Sequence, residues 1–326
     1  MSADVSIPST SPPSTSGAIA TRESYGKALV ELGKERRDVI VLDADLSGST
    51  KTGDFAKAFP DRFFNIGVAE ANMTGIAAGL SFTGLTVFCS SFAMFAAGKA
   101  YEQVRQEVAL PNANVKICAT HAGLTVGEDG ASHQMLEDLA LMRVLPNMRV
   151  FVPADGRETE QVIRAVAGFK GPAYVRLSRM KTPLFIPAGN RFEVGVATRL
   201  RDGNCLTLIG TGVTSWHALQ AASLLAAEGI EARVLNMSTI KPLDEAAVLA
   251  AAEETAGIVT VEEAQAACGL GGAVAEVVTS GRPCPVLRLG MRDRFGESGD
   301  GLALLEHFGL TAPHIARAAR ELLAKT

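Results

Sequence analysis

The feature that most limits this chain is a repeated alternation of short, uninterrupted apolar runs with longer amphipathic stretches. Val39-Ile40-Val41-Leu42-Asp43 is one such run, and residues 63–67, 86–90, 115–119, 149–153 and 173–177 supply others. A strand that alternates apolar and polar side chains can leave one face in water. A run that is apolar throughout needs cover on both faces, as a parallel strand between two helical layers has. Helical spacing fills the gaps. It covers residues 21–33 (Thr21 as the expected N-cap; Tyr25, Leu29 and Leu32 on one face), 69–80 (rich in Ala and Gly, suited to close packing), 95–108 (carrying Tyr101, Val104 and Val108) and 157–169. The pattern resumes further on, with strands at 205–210, 232–236, 258–262 and 285–289 and helices at 216–228, 271–279 and 313–325. It predicts an α/β chain of two doubly wound domains with mainly parallel sheets.

With 47% apolar and 20% charged residues, both domains can bury ordinary cores. A net charge of −4 gives no electrostatic reason to expect nucleic acid or an anionic membrane as partner. No apolar run reaches membrane-spanning length, and the start has neither the basic nor the apolar region of a signal peptide. The five cysteines are scattered without a Cys-x-x-Cys pair, so neither a disulfide framework nor a zinc site is expected, and a reducing cytoplasm is. Residues 1–18, rich in Ser, Thr and Pro, read as a disordered leader. Residues 19–182 read as the first domain, 183–192 (with Pro183, Pro187 and Gly189) as a linker, and 193–326 as the second domain.

In parallel sheets, ligands meet the loops at the carboxyl ends of the strands. Three such loops carry chemistry here: Asn65-Ile66-Gly67-Val68-Ala69-Glu70, Ser90-Ser91-Phe92-Ala93-Met94-Phe95, and the polar stretch 121–134 with His121, Asp129 and His133. A lone acid at a helix start, flat aromatics and a His/Asp/His loop suit a buried heterocycle beside a polyhydroxylated substrate. Each piece also has an ordinary explanation. A Glu in a first helical turn is a favourable end charge, two Phe three apart form a core stripe, and a single Arg is a solvated surface charge. A metal at His121, Asp129 and His133 would need a ligand geometry the sequence does not support. Cys268-Gly269-Leu270-Gly271-Gly272 lacks the full nucleotide-binding glycine pattern and reads as a tight turn opening a helix. Lys241-Pro242-Leu243-Asp244 reads as a loop into a helix capped by Asp244.

In order and spacing, residues 20–320 resemble the C-terminal half of transketolase, its pyrimidine-binding domain followed by its C-terminal domain. The resemblance is carried by Ala20-Thr21-Arg22, Ala44-Asp45-Leu46-Ser47-Gly48-Ser49, Gly67-Val68-Ala69-Glu70-Ala71-Asn72-Met73-Thr74, the Ser90 to Phe95 turn, Gly127-Glu128-Asp129-Gly130 with His133-Gln134, and Leu177-Ser178-Arg179. Lys241 to Asp244, Thr260-Val261-Glu262-Glu263 and Phe295-Gly296-Glu297-Ser298 extend it through the second domain.

The resemblance implies that Glu70 is the catalytic glutamate, sharing a proton with a ring nitrogen of thiamine diphosphate, and that Phe92 and Phe95 contact the aminopyrimidine. It implies that Arg22, Ser49, His121 and Arg179 hold the phosphate of a sugar, and that Asp129 and His133 contact hydroxyls near the reacting carbon. His121 and His133 join Glu70 as catalytic residues in this expectation. At Gly98 the family often has an aromatic. At His121, deoxyxylulose-phosphate synthase tends to have Arg. The implied reaction moves a two-carbon ketol unit from a ketose phosphate to an aldose phosphate. The family's diphosphate-anchoring Gly-Asp-Gly with its trailing Asn is not found, and Asp202-Gly203-Asn204 has the wrong spacing. The expectation is therefore one subunit of a split transketolase, α2β2, with Mg2+ (or Ca2+) and the diphosphate held mainly by an N-terminal partner subunit and no metal ligands on this chain. Alternatives are a deoxyxylulose-phosphate-synthase-like or pyruvate-dehydrogenase-β-like thiamine enzyme subunit, a transketolase for an unusual sugar phosphate, and a non-catalytic regulatory relative.

Overall fold

The computed structural model describes residues 17–325, so the expected leader over 1–18 lies, but for Gly17 and Ala18, outside the described residues. The first sheet contains β1 (Val39–Asp43), β2 (Phe63–Asn65), β3 (Thr86–Ser90), β4 (Val115–Ala119), β5 (Arg149–Phe151) and β6 (Ala173–Arg176). The second contains β7 (Thr198–Arg201), β8 (Leu206–Gly210), β9 (Ala232–Asn236), β11 (Ile258–Gln265) and β12 (Val286–Met291). Between β9 and β11 the chain forms β10 (Thr239–Lys241), which crosses back and pairs antiparallel with β5. The first sheet therefore runs β10-β5-β6-β4-β3-β1-β2, parallel except at β10, and the second runs β12-β11-β8-β9-β7, parallel except at β7. Both are α/β with mainly parallel sheets, as the apolar runs require. Every residue of β1, β3, β4 and β6 is buried.

Several elements differ from expectation. Thr21 is the first residue of its helix (Thr21–Glu35) and does not cap it. Its hydroxyl instead accepts from Ser178 N at 2.7 Å, tying the helix start to the end of β6. The helix expected over 95–108 is interrupted. Met94–Lys99 and Val104–Ala109 are π-helical turns flanking a short α segment, Tyr101–Gln103. Helices Asp138–Val144 and Gly301–His307, and strands β7 and β10, were not apparent from periodicity. The stretch expected as a linker is packed over its first four residues and exposed at 187–189 and 191. Phe185 lies against Trp216, ring centroids 5.5 Å apart, Ile186 is fully buried, and Ile186 N donates to Asp155. Asp244 does cap its helix, accepting from Ala247 N. The Gly269 turn opens helix Leu270–Ser280 on the carboxylate of Glu262, which accepts from Leu270 N and Gly271 N at 2.8 Å. Burial lifts Glu262 to about 7 despite those donors.

His217, buried in helix Thr214–Ala226, yields a testable consequence. Burial pulls its imidazole down to about 4, with Glu306 partly opposing. A His whose folded pKa lies below its unfolded value is carried neutral, so stability falls as pH drops through the window from the unfolded value toward 4. His217→Leu removes that proton uptake. Relative to the parent, the variant should gain about 2 kcal/mol between pH 7 and pH 5, read by urea unfolding at the two pH values. A parallel shift of both proteins would contradict it.

Candidate active site

The order of the first sheet reverses at β1 and β3. The chain leaves β1 outward to β2, then crosses over to β3, and the loops part at that point to leave a crevice. The loops around this crevice carry the residues singled out from sequence. After β1, Asp43 accepts from Leu46 N at 2.6 Å, Thr50 Oγ1 at 2.7 Å and Thr52 Oγ1 at 2.8 Å, pinning the turn that carries Ser49. Burial raises the Asp43 carboxyl above its ordinary range, and the three donors oppose that rise. After β3, Ser90 Oγ meets Tyr25 OH at 2.7 Å, and Ala93 N donates to Thr120 O across to the end of β4. Phe92 is thereby laid on His121, ring centroids 3.8 Å apart and near parallel, with Phe95 stacked beyond it at 6.1 Å.

His121 sits at the end of β4 with φ of +55°, a strained value for a non-glycine residue of the kind that clusters at functional sites. Arg22 Nη1 lies 3.2 Å from His121 Nε2 and donates to Ser49 O at 2.9 Å. Arginine is a donor only, so His121 Nε2 accepts, and Nδ1 carries the hydrogen toward Thr120 Oγ1 at 2.9 Å. Burial, reinforced by Arg22, Arg179, His133 and Lys51, drives His121 down to about 3. It is a neutral imidazole at working pH. That suits orienting Arg22 better than it suits the proton transfer expected of a catalytic histidine. Burial likewise lowers Arg22, whose Nε is buried without a partner.

From the far wall, Arg179 Nη1 donates to Val126 O at 2.9 Å and lies 3.4 Å from Asp129 Oδ2. His133 meets the edge of Phe95 at 5.5 Å, with Ser132 Oγ on its Nδ1. Arg22, Ser49, Phe92, His121, Asp129, His133 and Arg179 thus line one cleft of about 440 Å³. A hollow of about 480 Å³ behind the loop, against Trp216 and His217, has no such convergence of imidazoles and aromatic faces. Among the described residues no three His, Cys, Asp or Glu side chains group as metal ligands would. The cations Arg22 and Arg179 beside His121 and Asp129 would also oppose a metal there.

Glu70 does not line this cleft. It opens helix Glu70–Ser81, 2% exposed, and its Oε2 accepts from Lys99 Nζ at 2.7 Å. That helix packs on the turn holding Phe95 and Lys99. Lys99 was missed from sequence, where a single lysine reads as a solvated surface charge. The brace of the loop was missed too. Gln134 Nε2 donates to Leu124 O and Glu297 O, Ser298 Oγ donates to Glu128 O, and Glu263 accepts from Thr125 N. The Phe295 to Ser298 and Thr260 to Glu263 motifs therefore hold the loop that carries Asp129.

The model of the transketolase pyrimidine-binding domain matches residues 17–183, and that of the transketolase C-terminal domain matches 195–315. The chain belongs to the transketolase family. It is 51% identical over 307 residues to a protein described as a transketolase C-terminal section from Methanocaldococcus jannaschii, covering 93% of this chain and 96% of that one. It is 39% identical to human transketolase, spanning 99% of this chain but 52% of the human protein. Among solved structures it superposes on a split-gene transketolase, described as an inactive beta4 tetramer, with a TM-score of 0.87 and 51% identity over 94% of this chain and 99% of that one. In extent and fold it corresponds to the C-terminal half of a transketolase.

Proposed function

We propose that this chain is the C-terminal subunit of a split transketolase. It moves a two-carbon ketol unit from a ketose phosphate to an aldose phosphate, and it works only beside an N-terminal partner subunit in a cytoplasmic α2β2 assembly. The observation that carries this reading is the convergence of two arginines, two imidazoles and one carboxylate on a cleft walled by Phe92, with Phe95 stacked on its far side and a buried glutamate on the adjoining helix.

The residues present fit the heterocyclic end of thiamine diphosphate. Phe95, backed by the stacked ring of Phe92, offers a flat apolar face, which contributes about 0.5–1.5 kcal/mol per aromatic pair beyond burial, and Glu70 is a carboxyl shielded from water. Bound thiamine diphosphate supplies the carbon nucleophile that carries the ketol unit between donor and acceptor. Its diphosphate and Mg2+ (or Ca2+) fall to the partner. Within this chain, Glu70 holds and returns the proton at the ring nitrogen. Arg22, kept in place by Ser49 O and His121, and Arg179, kept in place by Val126 O, grip the substrate phosphate through charge-assisted bonds. Asp129 and His133 contact the hydroxyls nearest the reacting carbon.

Arg179→Met should raise KM for a phosphorylated ketose at least about tenfold while changing kcat much less, since the phosphate is held alike in ground and transition states. Steady-state kinetics with xylulose 5-phosphate would measure this; an unchanged KM contradicts the phosphate role. Feeding the reconstituted pair pyruvate in place of xylulose 5-phosphate tests the reaction class. Turnover of the 2-oxo acid alone would favour the other thiamine enzymes.

A second reading, an unusual sugar phosphate, is favoured by the second of two relatives of similar length, the first being named for a sulfonated sugar rather than a phosphate. A 6-deoxy-6-sulfo-D-fructose transketolase subunit from a Clostridium species is 40% identical over 92% of this chain, and an apulose-4-phosphate transketolase subunit from Phocaeicola vulgatus is 38% identical over 94%.

A further inference from the structure

We propose that Lys99 is a positioning residue that occupies the Glu70 carboxylate until the heterocycle arrives, and that it must withdraw for the cofactor to bind; this rests on the reading of Glu70 given above. Glu70 is 2% exposed, and a carboxylate so buried is strongly destabilising unless a cation or donors meet it. Lys99 Nζ meets Oε2 at 2.7 Å, yet the lysine side chain is 53% exposed. Its unbranched stem reaches in from the surface and can swing back to water without dragging the fold along.

The local backbone explains why a lysine stands here. Met94–Lys99 is a π-helical turn, a form rare in proteins and frequent at functional sites. It sets Gly98, which is half-buried, against two methionines. A Cβ at Gly98 would lie 3.0 Å from Met94 Cε and 3.5 Å from Met135 Cε, so a side chain there would have to shift the end of Met94. The resemblance expects an aromatic at that position. This chain fills the space with Met94 and Met135 and places the neighbouring ammonium on the carboxylate instead. An ammonium held against Glu70 competes with a ring nitrogen for the same oxygen. It also disfavours a proton on that nitrogen by like-charge repulsion. Cofactor binding is therefore opposed by the Lys99–Glu70 pair.

The test measures thiamine diphosphate binding by titration calorimetry on the purified two-chain complex with Mg2+, for the parent, Lys99→Met, Lys99→Arg, Glu70→Gln and the Glu70→Gln/Lys99→Met double variant. Releasing a charged hydrogen bond screened by solvent should tighten Kd about fivefold in Lys99→Met. Lys99→Arg, which keeps a cation in reach, should stay within about twofold of the parent. With the carboxylate gone, adding Lys99→Met should change nothing, because no pair remains to break. A Kd in Lys99→Met equal to or weaker than the parent's, or the same tightening in the Glu70→Gln background, overturns the proposal. If Glu70→Gln alone keeps parental turnover and affinity, the reading of Glu70 fails instead, and the two failures are told apart.

Discussion

Glu70→Ala should cut the turnover of the assembled enzyme by about 10²- to 10⁴-fold, the range over which a positioned proton-transfer group acts, while leaving the complex folded. The fold should survive because the residue's partner is Lys99, whose side chain is half-exposed and can turn its ammonium back to water once the carboxylate is removed. Glu70→Gln sharpens the expectation. The amide keeps the shape and can hydrogen-bond, but it cannot take up or release the proton, so its loss should approach that of alanine. Ketol transfer measured at saturating donor and acceptor, with circular dichroism and gel filtration on the same samples, separates a chemical loss from a structural one. Near-parental turnover in either variant would show that the carboxyl is only a favourable charge at a helix start.

Arg176→Met should produce the largest loss of stability, about 3–5 kcal/mol, as expected when one partner of a buried ion cluster is removed. Arg176 is 4% exposed at the end of β6. Its Nε donates to Asp138 Oδ2 at 2.8 Å, Nη1 lies 3.7 Å from Glu263 Oε1, and Nη2 donates to Met135 O and Glu263 O. Burial alone would lower the guanidinium, but Asp138 and Glu263 outweigh it and hold its pKa above the ordinary value. Burial pushes Glu263 up, and Arg176 is the first influence holding it back. Without the arginine, the Glu263 pKa in the folded chain rises further above its unfolded value. A carboxyl raised in this way loses stability as pH climbs through its folded pKa. The deficit of Arg176→Met should therefore be larger at pH 8 than at pH 5 in denaturant titrations. A deficit under about 1 kcal/mol, independent of pH, would mean the cluster contributes little. The same cluster serves the site, because Glu263 also accepts from Thr125 N at the head of the loop that carries Asp129.

The architecture was legible where burial on both faces forces an unbroken apolar run, as at β1, β3 and β4. The placement of Arg22, Ser49, His121 and Arg179 on one cleft was legible only through the order of motifs, since these residues lie far apart along the chain and no periodicity relates them. Other features are set by contacts that leave no local mark. Thr21 looks like a cap, but Ser178 takes its hydroxyl. The π-turns at Met94–Lys99 and Val104–Ala109 depend on a hydrogen-bond register that composition does not encode. β10 is too short to show a period, and it joins the first sheet because β5 offers it a free edge. The stretch 183–192 has the prolines of a tether, yet Phe185 and Ile186 anchor its first part in the core, while 187–189 and 191 stay exposed. The neutrality of His121 arises from its burial, reinforced by three cations and a second imidazole that only the fold assembles around it.

The central claim, that this chain supplies half of a thiamine-dependent active site, is tested most directly by reconstitution. The chain alone, a partner carrying the N-terminal half of a transketolase alone, and the two mixed would each be assayed for ketol transfer from xylulose 5-phosphate with thiamine diphosphate and Mg2+ present. The account predicts turnover only in the mixture, saturating at one partner per chain and lost with Glu70→Ala. Full turnover by this chain on its own, or a mixture equally active without Glu70, would contradict it.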